Sequence, residues 1–533
     1  MASTSIPLRG SVLSVALIGA AFACAGGQVD DAGTSMADES MSSTAGDGDG
    51  DGDGDGDSGD GDGDGDPDTS SGDGDGDACT AQGCDCDGSP DSCDDGLACI
   101  DGTCSPPSCT INGIVDAGEQ CDDNNDFEGD GCDTDCTFTL IESVAAGGSH
   151  TCAVIEGDRV RCWGLNNVGQ LGYGNLDNIG DNEAPSAAAD VVVGGAVEYV
   201  HAGGSHSCAF LVDGTVRCWG SGGSGQLGQG STDNIGDNDF PFSVNPIVLN
   251  SEVLSIQAGA NHTCVLVASN GVRCWGVNNV GQLGYGNTNN LSIPLTIDLP
   301  LDGVVSKLAV GRNHNCALFD NNDVRCWGYN NRGQLGYGNT EDIGDTETPG
   351  SVVPVPILPQ GIPADTPIQD VALGNEHSCV LYETGDVLCW GDNFYGQLGQ
   401  GTTTTVGDNE TLATLFPIDL GADAVALTLG KYHTCALLSD NGVKCWGRNL
   451  YGQLGRGNIA HVGDDETPAD IESIQLGGTV SSLSAGDHHT CAVVDNHEVV
   501  CWGFNDYGQL GYGDTSMRGD DETPAEAGGI DLL

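Results

Sequence analysis

The sequence predicts an all-β chain whose main domain is a seven-bladed β-propeller of four-stranded antiparallel blades, preceded by a small disulfide-rich module and an acidic tether. Three observations predict it. A His-(Ser/Thr/Asn)-Cys triplet recurs seven times, ending at Cys152, Cys208, Cys264, Cys316, Cys379, Cys435 and Cys491. A second cysteine follows ten residues after each, at Cys162, Cys218, Cys274, Cys326, Cys389, Cys445 and Cys501, then at once a tryptophan, and beyond it Gly-Gln-Leu-Gly. Successive repeats are offset by 56, 56, 52, 63, 56 and 56 residues, a period that marks an array of one supersecondary unit.

Within the unit, runs rich in Val, Cys and Trp flank polar breaks such as Asp213-Gly214, Asn270-Gly271 and Asn441-Gly442. These are hairpin signals, because the tight turn needs positive φ. Folding the first hairpin about Gly157 sets Cys152 opposite Cys162. A cross-strand disulfide is therefore expected in every repeat, each with a chain-entropy contribution of up to about 3 kcal/mol. Apolar runs at 141–144 and 191–193 flank the hairpin and bring the count to four strands, the blade of a propeller. Each tryptophan neighbours a cysteine along its strand and so faces the other side of the sheet, where it is expected to pack between blades. The seven motif histidines, His150, His206, His262, His314, His377, His433 and His489, could suggest metal ligands. One per blade spreads them around a ring, so they are expected to hydrogen-bond backbone within their own blades. The Gly-Gln-Leu-Gly turns permit close backbone approach and are not a phosphate loop, since neither a lysine nor a helix follows. Ring closure is expected where residues 138–141 pair with residues 530–533.

The patterns Gly-x-x-His-Ser/Thr-x-Ala, Gly-x-Val-x-x-Trp-Gly and Asn-x-x-Gly-Gln-Leu-Gly-x-Gly resemble the repeat of the regulator of chromosome condensation family over about residues 140–533. The resemblance implies a seven-bladed propeller. It says little about function, which resides in sites grafted onto folds.

Residues 1–23 carry one basic residue, Arg9, followed by an apolar run too short to span a membrane, and read as an export signal. Cys24 follows directly. There it resembles the lipidated first residue of a bacterial lipoprotein, although Ala21 and Phe22 depart from the usual pattern and leave plain secretion open. Of 25 cysteines, 14 lie in the repeats and 10 between Cys79 and Cys136, so Cys24 is the odd one. Residues 24–78 form the tether, in which alternating Gly and Asp supply no core and repel one another. The alternation mimics the start of an EF-hand loop without its twelfth-position Glu. Weak Ca²⁺ binding is thus the most this chain suggests, and no other cofactor is expected. Residues 79–136 pack ten cysteines into a loop-rich module. Its even count behind an export signal favours disulfides over zinc, and its second half resembles an acidic cysteine-rich repeat of exported bacterial proteins. The propeller occupies residues 137–533.

The whole chain carries 80 acidic and 14 basic residues. Residues 1–136 hold 33 of the acids and only Arg9 among the bases, leaving the propeller 47 acids against 13 bases, a net of −34. Such a surface repels a nucleic-acid backbone, which excludes nucleic acid as a partner. Six repeats carry an acidic loop, holding Asp181 and Glu183, Asp237 and Asp239, Asp345 and Glu347, Asp408 and Glu410, Asp464 and Glu466, and Asp520 and Glu522. On one face these would form an acidic rim, which is either a solubility device or a site for a cation or a basic protein partner. Residues 351–367 account for the one long offset and carry Pro354, Pro356, Pro359, Pro363 and Pro367. They are expected to join the rim in recognition. No catalytic constellation stands outside the repeat. The sequence therefore predicts a monomeric, non-enzymatic protein-binding module at the cell surface, held to a membrane only by lipid. Guanine-nucleotide exchange, implied by the resemblance, and Ca²⁺-dependent adhesion through the rim are the alternatives.

Overall fold

In the first repeat, the strands Ile141–Ala146, His150–Ile155 and Arg159–Gly164 form an antiparallel sheet with the second strand in the middle. Six further three-stranded sheets repeat this plan, their middle strands opening at the motif histidines His206, His262, His314, His377, His433 and His489. This computed structural model describes residues 98–100, 103–105, 115, 120–122, 131–133 and 136–533 apart from 358. The export signal, Cys24 and the tether lie outside the described residues, as does most of the cysteine-rich module. Of that module, Ala98–Ile100 pairs with Thr103–Ser105 as a short antiparallel ladder. Separately, Cys121 is bonded to Cys132, and Cys136 also belongs to a disulfide.

The hairpin turns use the residues that tolerate a left-handed backbone, with φ of +79° at Gly157 and +58° at Asn270. Cys152 faces Cys162 across the ladder, and the same register holds in the other six blades. All seven pairs are disulfide-bonded, and all fourteen cysteines are shut off from solvent.

The expected fourth strand is reduced to a single tie. Val191 N–H donates to Val160 C=O at 2.8 Å, and Ile247, Leu299, Val355, Ile418, Ile474 and Ile530 do the same in their own blades. In most blades a proline-led 3₁₀ turn precedes the tie, as at Pro185–Ala187 and Pro468–Asp470. A positive-φ glycine such as Gly194 or Gly477 follows three residues after the tie. The residue after the tie turns its C=O to the 3₁₀ turn of the next blade, as where Val192 accepts from Phe242 N–H and Asp531 from Ser186 N–H.

Blade joins blade through the repeated polar side chains. The backbone carbonyl of Gln170 accepts both the Trp219 indole N–H and the Ser207 hydroxyl of the next blade, each at 3.0 Å. The same pair of bonds ends on Gln226, Gln282, Gln334, Gln397, Gln453 and Gln509. Gly172, at φ +84°, lets this happen, since a Cβ there would lie 2.9 Å from Trp219 Nε1.

The histidines do not bond backbone in their own blades as expected; they reach across the junction. His150 Nε2 meets Ser207 Oγ at 2.9 Å, His206 meets Thr263, and His262 meets Asn315 Oδ1 at 2.8 Å, with the remaining four alike. An amide oxygen only accepts, so His262 carries its proton on Nε2. The hydroxyls facing the other histidines already donate to the glutamine carbonyls, which leaves them the same acceptor role. Each Nδ1 is buried without a hydrogen-bond partner among the described residues. Burial lowers these histidines to a pKa of about 3 to 4, so they stay neutral.

Backbone bonds also run round the inner turns: Gly148 N–H to Gly203 O, Gly204 to Gly259, Ala260 to Arg312, Arg312 to Gly374, Lys431 to Asp487, and Asp487 back to Gly147. The last closes the ring. Residues 138–141 do not pair with 530–533. Instead Ile141 N–H donates to Asn496 O, and Phe138 stacks on His497 at 4.2 Å, both in the seventh blade. Ile530 stays with Val499 of its own blade, and Leu532 C=O accepts from Arg161. The two ends meet as side chains in one core with Ile141 and Trp163.

Asn330 shows why Asn-x-x-Gly-Gln-Leu-Gly recurs. Fully buried, it accepts from Leu335 N–H at 2.9 Å and donates to Asn339 O and Glu341 O at 3.0 and 2.9 Å. Removing all three bonds by Asn330→Ala should cost about 2 to 3 kcal/mol, read as a lower denaturant midpoint at unchanged slope.

Candidate functional site

Register fixes which residues share a face. His150 pairs with Gly164, so the residue before each motif histidine and the residue after each Trp-Gly emerge at the same end of the blade. A backbone bond such as Leu165 N–H to Ser149 O at 2.9 Å ties them together, as in the other six blades. In the first three blades these two positions are small or plain: Ser149 and Leu165, Ser205 and Ser221, Asn261 and Val277. In the last four they are Asn313 and Tyr329, Glu376 and Asp392, Tyr432 and Arg448, and His488 and Phe504.

These last blades build a continuous aromatic patch. Tyr395 contacts Phe394, Tyr432 and His461 at ring separations of 4.9, 5.5 and 5.3 Å. His488 continues it to Tyr432, Tyr451 and Phe504, and Phe504 passes it to Tyr507. Arg448 sits among three tyrosines, 5.3 Å from the Tyr395 ring, 5.7 Å from Tyr432 and 5.0 Å from Tyr451, as cation–π attraction favours. Lys431 lies 5.4 Å from Tyr432. Phe394 is 69% exposed and Leu450 46%.

The charged residues of this face fall into two sets. Arg312 of the fourth blade donates to both carboxylate oxygens of Asp487 of the seventh, at 2.5 and 2.6 Å. Those blades are not neighbours on the ring, so the pair spans the mouth of the central channel. Arg332 lies 3.8 Å from both Glu376 and Asp392, and burial holds both carboxyls above their usual pKa. Lys431 and Arg448 form no ion pair among the described residues. His488 between them is kept neutral, its pKa lowered to about 3 by burial first and then by Lys431 and Arg448.

The acidic loops lie outside this centre, on the same side. His461 joins the two zones, edge-on to Tyr395 while Asp464 acts on its charge. Each loop docks on the Gly-Gln-Leu-Gly turn of the preceding blade. Gly174 N–H donates to Gly236 O, Gly286 to Gly344 O and Gly457 to Gly519 O, and the Gly180, Gly407 and Gly463 backbones touch Gly508, Gly333 and Gly396 carbonyls. In all six loops the first and third acids are half-buried and the residue between them is exposed. This holds for Asp181 and Glu183, Asp237 and Asp239, Asp345 and Glu347, Asp408 and Glu410, Asp464 and Glu466, and Asp520 and Glu522. Burial and neighbouring carboxylates raise Glu183 and Glu466, and bring Glu522 to about 7. Asp464, Asp465 and Glu466, and likewise Asp520, Asp521 and Glu522, bring oxygens within 4.8 Å of one another. Those triplets are where a divalent cation could be held, although Arg518 already approaches Glu522 at 3.7 Å.

The proline-rich connection does not join the rim. Val355 ties to Val324, and the chain then covers Asn322, Ile368 and Tyr382, at the far end of the strands from the histidines. There it encloses a largely apolar cavity of about 230 Å³. The expected joint surface of rim and proline loop is thus split between opposite faces, because after the rim loop the chain runs back along the third strand to the Val355–Val324 tie, at the other end of the blade. The aromatic centre was not anticipated. Its signal was present: the positions beside His-x-Cys and after Trp-Gly depart from the repeat in blades four to seven while their neighbours stay constant.

A family profile described as "RCC1-like domain" matches residues 237–531, and profiles of the regulator of chromosome condensation (RCC1) repeat match residues 141–170, 197–226 and 158–210. The chain is 33% identical over 320 residues to the ultraviolet-B receptor UVR8 of Arabidopsis thaliana, covering 59% of this chain and 66% of the receptor's length. It is 28% identical over 371 residues to the secretion-regulating guanine nucleotide exchange factor of Bos taurus, covering 66% of this chain and 75% of that one. In three dimensions it resembles human WBSCR16, with a TM-score of 0.55 at 22% identity over 68% of this chain and 94% of the other.

Proposed function

Because the chain belongs to the family of RCC1-like repeat propellers, we propose that it is a non-enzymatic protein-binding module whose working face is the aromatic and cationic patch of blades four to seven. One observation carries this reading. The repeat is near-uniform, yet at the histidine end of the later blades Tyr395, Tyr432, Tyr451, His488 and Phe504 join into one linked cluster around Arg448, where the first three blades carry small or plain residues. Interface centres are enriched in Tyr, Phe and Arg for their large contact area at low entropic cost. The acidic loops around the patch steer a partner with a basic periphery, so association slows as salt rises. Export through residues 1–23 and anchoring at Cys24 would display this face outside the cytoplasm on the Gly/Asp tether. Mass spectrometry of the mature amino terminus tests that part, since a diacylglyceryl Cys24 supports it and an unmodified one contradicts it.

The test of the face is a paired substitution. Tyr451→Ser with Phe394→Ser should reduce partner capture at least tenfold, in line with loss of two interface anchors at about 1 kcal/mol or more each. Phe394 is 69% exposed and Tyr451 only half-buried, so the denaturant midpoint should fall little beside the loss of capture. Unchanged capture would move the site elsewhere. A second reading, nucleotide exchange on a small GTPase, rests on the similarity to the bovine exchange factor. Release of a fluorescent guanine nucleotide from a panel of small GTPases separates the two, and binding without acceleration is the expected result.

A further inference from the structure

We infer that Lys431 and Arg448 form a receptor site for a single carboxylate, presented by a partner protein beside an apolar side chain. The inference rests on the proposed binding face and names what that face takes.

The propeller carries 47 acids against 13 bases, and seven of those bases are in ion pairs among the described residues. Among the bases, Arg217, Arg273, Arg325 and Lys444 of the third strands are committed to backbone carbonyls. Arg312 is held by Asp487, and Arg332 lies between Glu376 and Asp392. Lys431 and Arg448 are half-buried on adjoining turns of the sixth blade, where Arg448 N–H donates to Tyr432 O at 2.9 Å. Arg448 Nε is buried with no acceptor. Asp487 and Glu376 act on Lys431 through space but neither forms an ion pair with it among the described residues, and half-burying two like charges side by side is costly unless an anion joins them directly.

Three features define the anion. Planar guanidinium chemistry favours a flat, two-oxygen acceptor. Tyr395, Tyr432 and Tyr451 wall the cations, and exposed Phe394 and Leu450 lie at their edge, which calls for an apolar neighbour to the anion. The surrounding charge of −34 penalises a dianion more than a monoanion, which selects carboxylate over phosphate. A carboxylate at the tip of a partner's segment would meet the cations after its basic periphery has been drawn in by the acidic loops.

The chain has three lysines, Lys307, Lys431 and Lys444, so reductive ¹³C-dimethylation, which keeps their charge, gives three lysine signals beside that of any free α-amine. The Lys431→Gln variant identifies the one that matters. Full-length protein would be titrated with N-acetyl-phenylalanine, acetyl-Phe-Asp-amide, N-acetyl-phenylalanine amide and phenyl phosphate. The Lys431 signal should shift saturably with a carboxylate probe while Lys307 and Lys444 stay still. Preference for the first probe marks a chain-terminal carboxylate as the source, and preference for the second a side-chain one. The amide should bind at least about tenfold more weakly, as loss of a charge-assisted bond requires, and Arg448→Met should remove the carboxylate preference. Equal binding of acid and amide, tighter binding of phenyl phosphate, no shift with either carboxylate, or preference retained in Arg448→Met overturns the inference. In each such case the binding face itself survives if Tyr451→Ser with Phe394→Ser still abolishes partner capture.

Discussion

Lowering the pH from 7.5 to 5.5 is expected to destabilise the propeller severely, before most carboxylates begin to titrate. The seven junction histidines are neutral in the fold, with pKa lowered to about 3 to 4 by burial, and return to about 6.5 when the chain unfolds. Between those values the unfolded chain binds more protons than the folded one. Stability therefore falls as the pH drops below 6.5, and the loss stops growing only near the folded pKa. Each histidine contributes about 1.4 kcal/mol per pH unit in that window, and seven act together. Glu522, raised to about 7, works in the opposite direction, as do other carboxyls that burial raises, Asp370 and Asp487 among them. Denaturant midpoints at pH 7.5, 6.5 and 5.5 measure the effect. His314→Gln keeps an N–H donor toward Ser378 and should lower the proton slope by about one. A midpoint that is flat from pH 7.5 to 5.5 would show that the buried imidazoles do not set stability.

Reduction of the seven hairpin disulfides is expected to have an effect as large, but only once the fold is opened. All fourteen cysteines are fully buried, so a thiol reductant alone should leave the native protein intact. Reduced in denaturant and diluted, the chain should fail to regain its cooperative transition, because each bridge closes a short loop with a contribution of up to about 3 kcal/mol. Deleting one pair, Cys264→Ala with Cys274→Ala, should lower stability by about 2 to 3 kcal/mol without altering the other blades. Refolding of the reduced chain to the oxidised midpoint would mean that the bridges are incidental to the fold.

The fold was legible because its causes are local and repeated. The ten-residue step between cysteines fixes a hairpin register, and one register copied seven times fixes a blade count. The roles of the histidines, the fourth strand and the closure were not legible, because each depends on the neighbouring blade. Nothing within residues 150–164 says that His150 will face Ser207, 57 positions away. The rim was legible as composition, since Gly-Asp-x-Glu/Asp recurs. Its docking on the preceding blade follows from positive-φ glycines such as Gly236 and Gly169 approaching each other, which only the packed ring reveals. The aromatic centre was overlooked for the opposite reason. Reading a repeat for what recurs hides the positions that vary, and Tyr329, Asp392, Arg448 and Phe504 are the varying ones.

Site-specific photo-crosslinking in the native cells tests the central claim most directly. A benzophenone side chain placed at Phe394 or Tyr507, on the aromatic half of the face, should give a discrete adduct with one partner. The same probe at Gly223 or Asn279, the positions equivalent to Phe394 on the plain half, should give none. Adducts from Gly223 or Asn279 with none from Phe394 and Tyr507 would contradict the assignment of the working face.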